Sequence, residues 1–93
     1  MPVATRLHAR VFGLVQGVYF RDSTRQKAKS LHIVGWARNA RDGSVEVVAE
    51  GSRSDLESLF SFLRVGPPSA RVERVETAWA EATGEFTAFD IRT

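Results

Sequence analysis

The chain has 93 residues, 43% hydrophobic and 26% charged, the size and mix of one globular domain spanning residues 1–93. It has no cysteine, which excludes disulfides, thiolate metal sites and a cysteine nucleophile, and with the last the cysteine-based phosphatases. Net charge is only +2, yet residues 1–41 carry eight basic side chains against Asp22 alone, while residues 42–93 carry five against ten acidic ones. A basic first half points to a local anionic ligand. No apolar run reaches the roughly 18 residues of a membrane span. The opening MPVATRLHAR holds no apolar signal core. A cytoplasmic, monomeric protein with no membrane role is the expectation.

Thr5–Gly13 alternates Leu7, Ala9 and Val11 against His8, Arg10 and Phe12, the period of a strand. A loop, Leu14–Tyr19, follows. A helix from Arg21 to His32 places Thr24, Ala28 and Leu31 on one stripe, with Arg25, Lys27 and Lys29 outward. Gly35–Ala40 and Ser44–Glu50 read as a hairpin closed by Asp42-Gly43. Ser54 and Glu57 form a capping box for a second helix, whose stripe is Leu56, Leu59, Phe60 and Leu63. Gly66 and Pro67-Pro68 stop it. Val72–Ala82 and Phe86–Ile91 supply one or two closing strands. This β-α-β-β-α-β order predicts an α+β fold: a ferredoxin-like two-layer sandwich, mostly antiparallel, with two helices on one face.

The segment between the first strand and first helix carries the chemical signal. Gly13 and Gly17 flank Leu14, Val15 and Gln16, and Arg21 opens the helix. Strand, glycine-bearing loop and helix N-terminus together aim backbone N–H groups and a helix dipole at one point. Arg21 adds a planar fork of donors that matches phosphate oxygens. No Lys-Ser/Thr pair follows the glycines, so this is not a nucleotide-binding P-loop. A turn glycine and a surface arginine would produce the same letters.

VFGLVQGVYFR (Val11–Arg21) resembles the first signature of the acylphosphatase family, G-x-V-Q-G-V-x-F-R. GWARNARDGSVEVVAEG (Gly35–Gly51) is similar to the second, and GPPSARVERVE (Gly66–Glu76) to a third common stretch. The resemblance runs in order through nearly the whole chain. It implies metal-free, cofactor-free hydrolysis of acyl phosphates to a carboxylate and inorganic phosphate. It implies that Arg21 and the backbone amides of Gln16, Gly17, Val18, Tyr19, Phe20 and Arg21 hold the phosphoryl group. It also implies that Asn39 positions the attacking water. The implied ligands are a small acyl phosphate and inorganic phosphate or another anion. Three departures bear on rate and affinity. Leu14 stands where many members carry Arg, Asp22 places a carboxylate beside the loop, and the C-terminal residues lack an aromatic end.

The chemistry needs few groups. The leaving carboxylate has a pKa of roughly 4 and departs unprotonated. Phosphoryl transfer then asks mainly for in-line positioning and charge stabilisation. An amide such as Asn39 can hold a water through its oxygen or its NH₂. Arg38 and Asn39 are neighbours on a strand, so only one faces the loop. Charge alone favours Arg38, and the resemblance selects Asn39.

Other candidates have plain readings. His8 alternates with core positions, and His32 ends a helix where a cation suits the terminal carbonyls. Ser23 and Ser30 lack a neighbouring base. Trp36 and Trp79 read as core or sheet-surface aromatics. Glu46, Glu50, Glu73 and Glu76 read as solvated strand faces, not metal ligands. An RNA-recognition module shares the element order, but its strand aromatics are replaced here by Ser-Val-Glu-Val-Val-Ala-Glu, so no nucleic-acid partner is expected. A non-catalytic anion-binding domain of the same fold is the remaining alternative.

Overall fold

In the computed structural model, which describes residues 4–93, the chain forms β1 (Thr5–Leu14), α1 (Phe20–Ser30), β2 (Val34–Asn39), β3 (Val45–Gly51), α2 (Arg53–Leu63), β4 (Arg71–Glu81) and β5 (Phe89–Arg92). Residues 1–3 of the expected 1–93 unit lie outside the described residues. The sheet order is β4-β1-β3-β2-β5. β1 pairs antiparallel with β3 and β4, and β2 with β3; β5 lies parallel to β2. The fold is ferredoxin-like α+β, with a fifth strand added at the β2 edge.

Strand parity decides what is buried. Leu7, Ala9 and Val11 of β1 and Val45, Val47 and Ala49 of β3 face the helices and are fully buried. Leu56, Leu59 and Leu63 of α2 and Phe20 and Ala28 of α1 complete this core. Each fully buried Leu or Phe contributes about 1.5–3 kcal/mol. Thr24 is buried on the α1 stripe as expected, and its hydroxyl donates to the Phe20 carbonyl at 2.8 Å, so that hydroxyl is not orphaned.

The α2 cap differs from expectation. Ser52, not Ser54, is the cap residue: its Oγ accepts from the Asp55 N–H at 3.1 Å. The helix therefore starts at Arg53, two residues before the Asp55 start that a Ser54 cap implies. At the other end of α1, His32 sits at φ 57, and the N–H groups of His32 and Ile33 donate to Lys29 and Ala28. That backbone pattern is a Schellman ending, so His32 closes the helix by its conformation.

The two central glutamates also correct the sequence reading. Glu46 and Glu50 lie on the central strand and are only 8% and 3% exposed. Their cross-strand partners are basic: Arg10 and Arg38 flank Glu46, and Arg6 stands opposite Glu50. Arg38 Nε donates to Glu46 at 2.6 Å, and His8 Nε2 lies 2.6 Å from its other oxygen. Glu50 is in charged contact with Arg6 at 3.0 Å and accepts from the Thr83 and Gly84 N–H groups. Alternation along one strand could not reveal partners two strands wide.

These contacts set an acid limit on stability. Burial alone would raise both carboxyls, but the His8 and Arg38 bonds at Glu46 and the Thr83 and Gly84 bonds at Glu50 outweigh it. Both lie below the ordinary glutamate value of 4.5. A carboxyl held low in the folded state protonates first in the unfolded state. Its stabilisation is present above 4.5 and is lost as pH falls through the folded value. The urea midpoint should thus hold from about pH 7 to 5 and then fall steadily towards pH 3. An unchanged midpoint at pH 3 would contradict this.

Among the described residues, no helix is long and apolar enough to cross a membrane.

Candidate active site

The C-terminal ends of β1, β2 and β5 and the start of β3 meet at one end of the sheet. Val11, Val45 and Asn39 stand in register across β1, β3 and β2. The N-terminus of α1 closes the same corner. A cleft of about 330 Å³ opens there, lined by Val15, Gly17, Tyr19, Phe20, Arg21, Asp22, Asn39 and Ile91.

The loop that forms its floor is built by backbone conformation. β1 carries a register break between Phe12 and Gly13 against β4. Only glycine fits at Gly13, because a Cβ would stand 2.1 Å from the Arg71 carbonyl oxygen. Gly17 follows at φ +75, and Tyr19 at φ 62. Tyr19 is the residue before α1, with no side-chain cap, and its carbonyl accepts the first helical bond, from the Ser23 N–H at 3.0 Å. The N–H groups of Phe20, Arg21 and Asp22 therefore have no partner within the helix. They and the helix dipole are the positive end of α1.

Arg21 reaches across to β5. Its guanidinium donates to the Arg92 carbonyl at 3.1 Å. The Arg92 side chain is in turn stacked over Trp36, 4.8 Å from the ring centre. β5 thereby fixes the direction of the cation in the cleft. The Asp22 carboxylate accepts from Arg25 at 2.8 Å and Gln26 at 3.3 Å, so its charge is partly balanced from its own helix.

Strand parity resolves the Arg38–Asn39 ambiguity. Arg38 lies on the open face of the sheet, bound to Glu46, and Asn39 lines the cleft with Arg21. Of the six loop positions singled out from sequence, Gly17, Tyr19, Phe20 and Arg21 line the cleft; Gln16 and Val18 do not. The Gln16 side chain is instead engaged in donating to the carbonyls of Ala40 and Ser44. Val18 packs against the core. Three lining residues were not named as binding residues, although Asp22 was noted beside the loop. Val15 and Asp22 adjoin singled-out positions. Ile91 arrives only because β5 pairs parallel with β2, which no local signal announces. Leu14 is 59% exposed and lies outside the cleft. Among the described residues, no three His, Cys, Asp or Glu side chains are grouped to hold a metal ion.

Gly17 separates two reasons for a glycine. A Cβ there would meet no protein atom within 4 Å, so protein packing does not require glycine; the positive φ does. Gly17→Val should cost about 1–2 kcal/mol of stability, the price of a left-handed non-glycine residue. If the loop escapes to negative φ instead, the directions of its N–H groups change. Inorganic phosphate should then raise the urea midpoint of wild type and hardly that of the variant. Equal stabilisation of both would show that the cleft's anion affinity does not depend on Gly17.

A two-layer ferredoxin-like fold whose cleft joins a glycine-bearing loop, the start of a helix, one arginine and one asparagine defines a class of small α+β proteins. Comparison with known proteins narrows the class. The acylphosphatase family model matches residues 7–91. The acylphosphatase of Pelotomaculum thermopropionicum is 49% identical over 86 residues, covering 92% of this chain and 94% of that protein. The crystal structure of acylphosphatase from Bacillus subtilis superposes with a TM-score of 0.92 at 29% identity, covering 96% of this chain and 99% of that one. An acylphosphatase structure from Coxiella burnetii gives a TM-score of 0.87 at 41% identity, covering 97% and 94%. The chain belongs to the acylphosphatase family.

Proposed function

We propose that this chain is an acylphosphatase that hydrolyses the carboxyl–phosphate bond without a metal or cofactor. The observation that carries this reading is the joint placement of Arg21 and Asn39 in one cleft beside the uncapped start of α1. The phosphoryl oxygens are held by the Arg21 guanidinium and the backbone N–H groups of Gln16 to Arg21. Asn39, on the wall formed by β2, orients a water for in-line attack on phosphorus. The P–O bond to the acyl group breaks as the new P–O bond forms. The carboxylate leaves as a weak base and takes no proton, so no general acid is needed. The water's proton passes to solvent or to the phosphoryl oxygens. Fixed N–H donors stabilise the equatorial charge without reorganising during the step.

The ligands on this reading are a small acyl phosphate and, as product, inorganic phosphate. The protein acts as a cytoplasmic monomer, and residues 1–93 form one domain. The test is turnover of benzoyl phosphate with and without EDTA. Turnover unchanged by the chelator is expected, with inorganic phosphate as a competitive inhibitor. A strict Mg²⁺ or Zn²⁺ requirement, or phosphate binding without turnover, would overturn it, the latter favouring a purely anion-binding domain.

A further inference from the structure

The phosphate loop leaves β1, whereas Asn39 ends β2. These strands are not neighbours: β3 lies between them. Two strand spacings, roughly 9–10 Å, separate their backbones. The sheet ladder alone therefore links the two halves of the cleft only through a third strand. From the loop itself, the Gln16 side chain spans the gap, while Arg10 of β1 reaches Asp42 of the turn at 3.4 Å. Gln16 Nε2 donates to the Ala40 carbonyl at 2.8 Å and to the Ser44 carbonyl at 2.9 Å. Ala40 directly follows Asn39, and Ser44 directly precedes Val45, the cross-strand partner of Asn39.

Neither bond is needed to close the hairpin. The Ala40 carbonyl also accepts the Gly43 N–H at 3.2 Å, and the Ser44 carbonyl accepts the Ala40 N–H at 2.8 Å. Asp42 holds the turn independently by accepting from the Ser44 N–H at 2.9 Å and its hydroxyl at 2.6 Å. With Gln16 removed, both carbonyls keep a donor. What is lost is the direct link between the loop and the strand end; the 3.4 Å contact of Arg10 with Asp42 ties the turn to β1, not to the loop.

We propose that the Gln16 side chain is a positioning residue that fixes Asn39 relative to the phosphate loop, by spending both amide protons on the carbonyls that flank the turn after Asn39. The proposal rests on the assignment of Asn39 to the attacking water. Reaction needs that water and the phosphorus in a fixed relation, and a displacement near 1 Å is enough to cost about 10²-fold in rate. Phosphate affinity draws on the loop amides and Arg21, so it should be insensitive to where Asn39 stands.

The experiment is a cycle of Gln16→Met, Asn39→Ala and the double variant. Methionine matches glutamine in length and donates no hydrogen bond. Gln16→Met should lower kcat about 10–100-fold per folded molecule, with inhibition by inorganic phosphate changed less than about threefold. In the Asn39→Ala background the same substitution should change kcat less than about twofold, because the residue it positions is gone. Gln16→Asn keeps the amide but falls one methylene short, and should behave like Gln16→Met. Fully multiplicative losses in the double variant, or phosphate affinity falling in step with kcat, would overturn the proposal.

A measurement on the unaltered protein stands beside the cycle. The Gln16 side-chain amide protons should exchange with solvent at least about tenfold more slowly than those of Gln26, whose contact with Asp22 is 3.3 Å long and exposed. Equal exchange would show that the clamp is not held in solution. If Asn39→Ala itself kept full activity, the water-orienting assignment would fail first, and the role of Gln16 with it, whatever the exchange data show.

Discussion

Arg21→Ala is expected to lower kcat/KM for an acyl phosphate by at least about 10²–10³-fold, the scale for removing one oriented donor from a charge-stabilising site. The cation is the one formal charge among the cleft-lining donors, set beside N–H groups that carry only partial charge. Binding should suffer with catalysis, because the same fork meets the phosphoryl group in the ground state and in the transition state. Inorganic phosphate should therefore lose most of its inhibition and of its protection against urea. The fold should survive. Arg21 is half-buried at a helix start, and its bond to the Arg92 carbonyl is exposed, so truncation removes a contact worth about 0.5–1.5 kcal/mol. Arg21→Lys should recover less than about tenfold, since a point charge cannot serve two oxygens and the Arg92 carbonyl together. A kcat/KM within about threefold of wild type for the alanine variant would remove Arg21 from the site.

How much of this was legible in the sequence follows from how local each signal is. The α2 stripe of Leu56, Leu59 and Leu63 and the β1 alternation of Leu7, Ala9 and Val11 are fixed by neighbours within one element, and both hold. Asp42-Gly43 closes its turn for the same reason. The Ser52 cap was missed because two serines, Ser52 and Ser54, stand at the start of α2, and only backbone geometry selects between them. Glu46 and Glu50 were misread because their burial depends on arginines delivered by β1 and β2. Of the site, Arg21 and Asn39 were readable as motif letters, whereas charge alone would have left Arg38 the stronger bet. Ile91 and the Arg92 carbonyl were invisible, since a parallel pairing between β2 and β5 brings them to the cleft across about half the chain. Gln16 was visible as a letter but its side chain was not: the carbonyls it meets are 24 and 28 residues away.

Asn39→Ala should show the opposite kinetic signature to Arg21→Ala: kcat falls by about 10²-fold or more while phosphate inhibition stays near wild type. Asn39 ends β2 in register with Val45, and β3 and the Ala40–Ser44 turn hold it there. It lines the cleft from β2, whereas the proposed anion cradle is built from the loop and α1. A group so placed can hold the water without contacting the anion that the loop binds. The amide has two faces of use, a carbonyl to accept from the water and an NH₂ to donate to it. Asn39→Asp offers the decisive contrast. It keeps the shape and one acceptor, but brings a negative charge to a site that must receive an anion. If Asn39 served as a proton acceptor, the aspartate variant would match or exceed wild type. Orientation by a neutral amide predicts instead that it falls as far as alanine and binds phosphate more weakly than alanine does. A fully active aspartate variant would replace water orientation with base catalysis. A collapse of phosphate affinity in the alanine variant would make Asn39 a ligand contact.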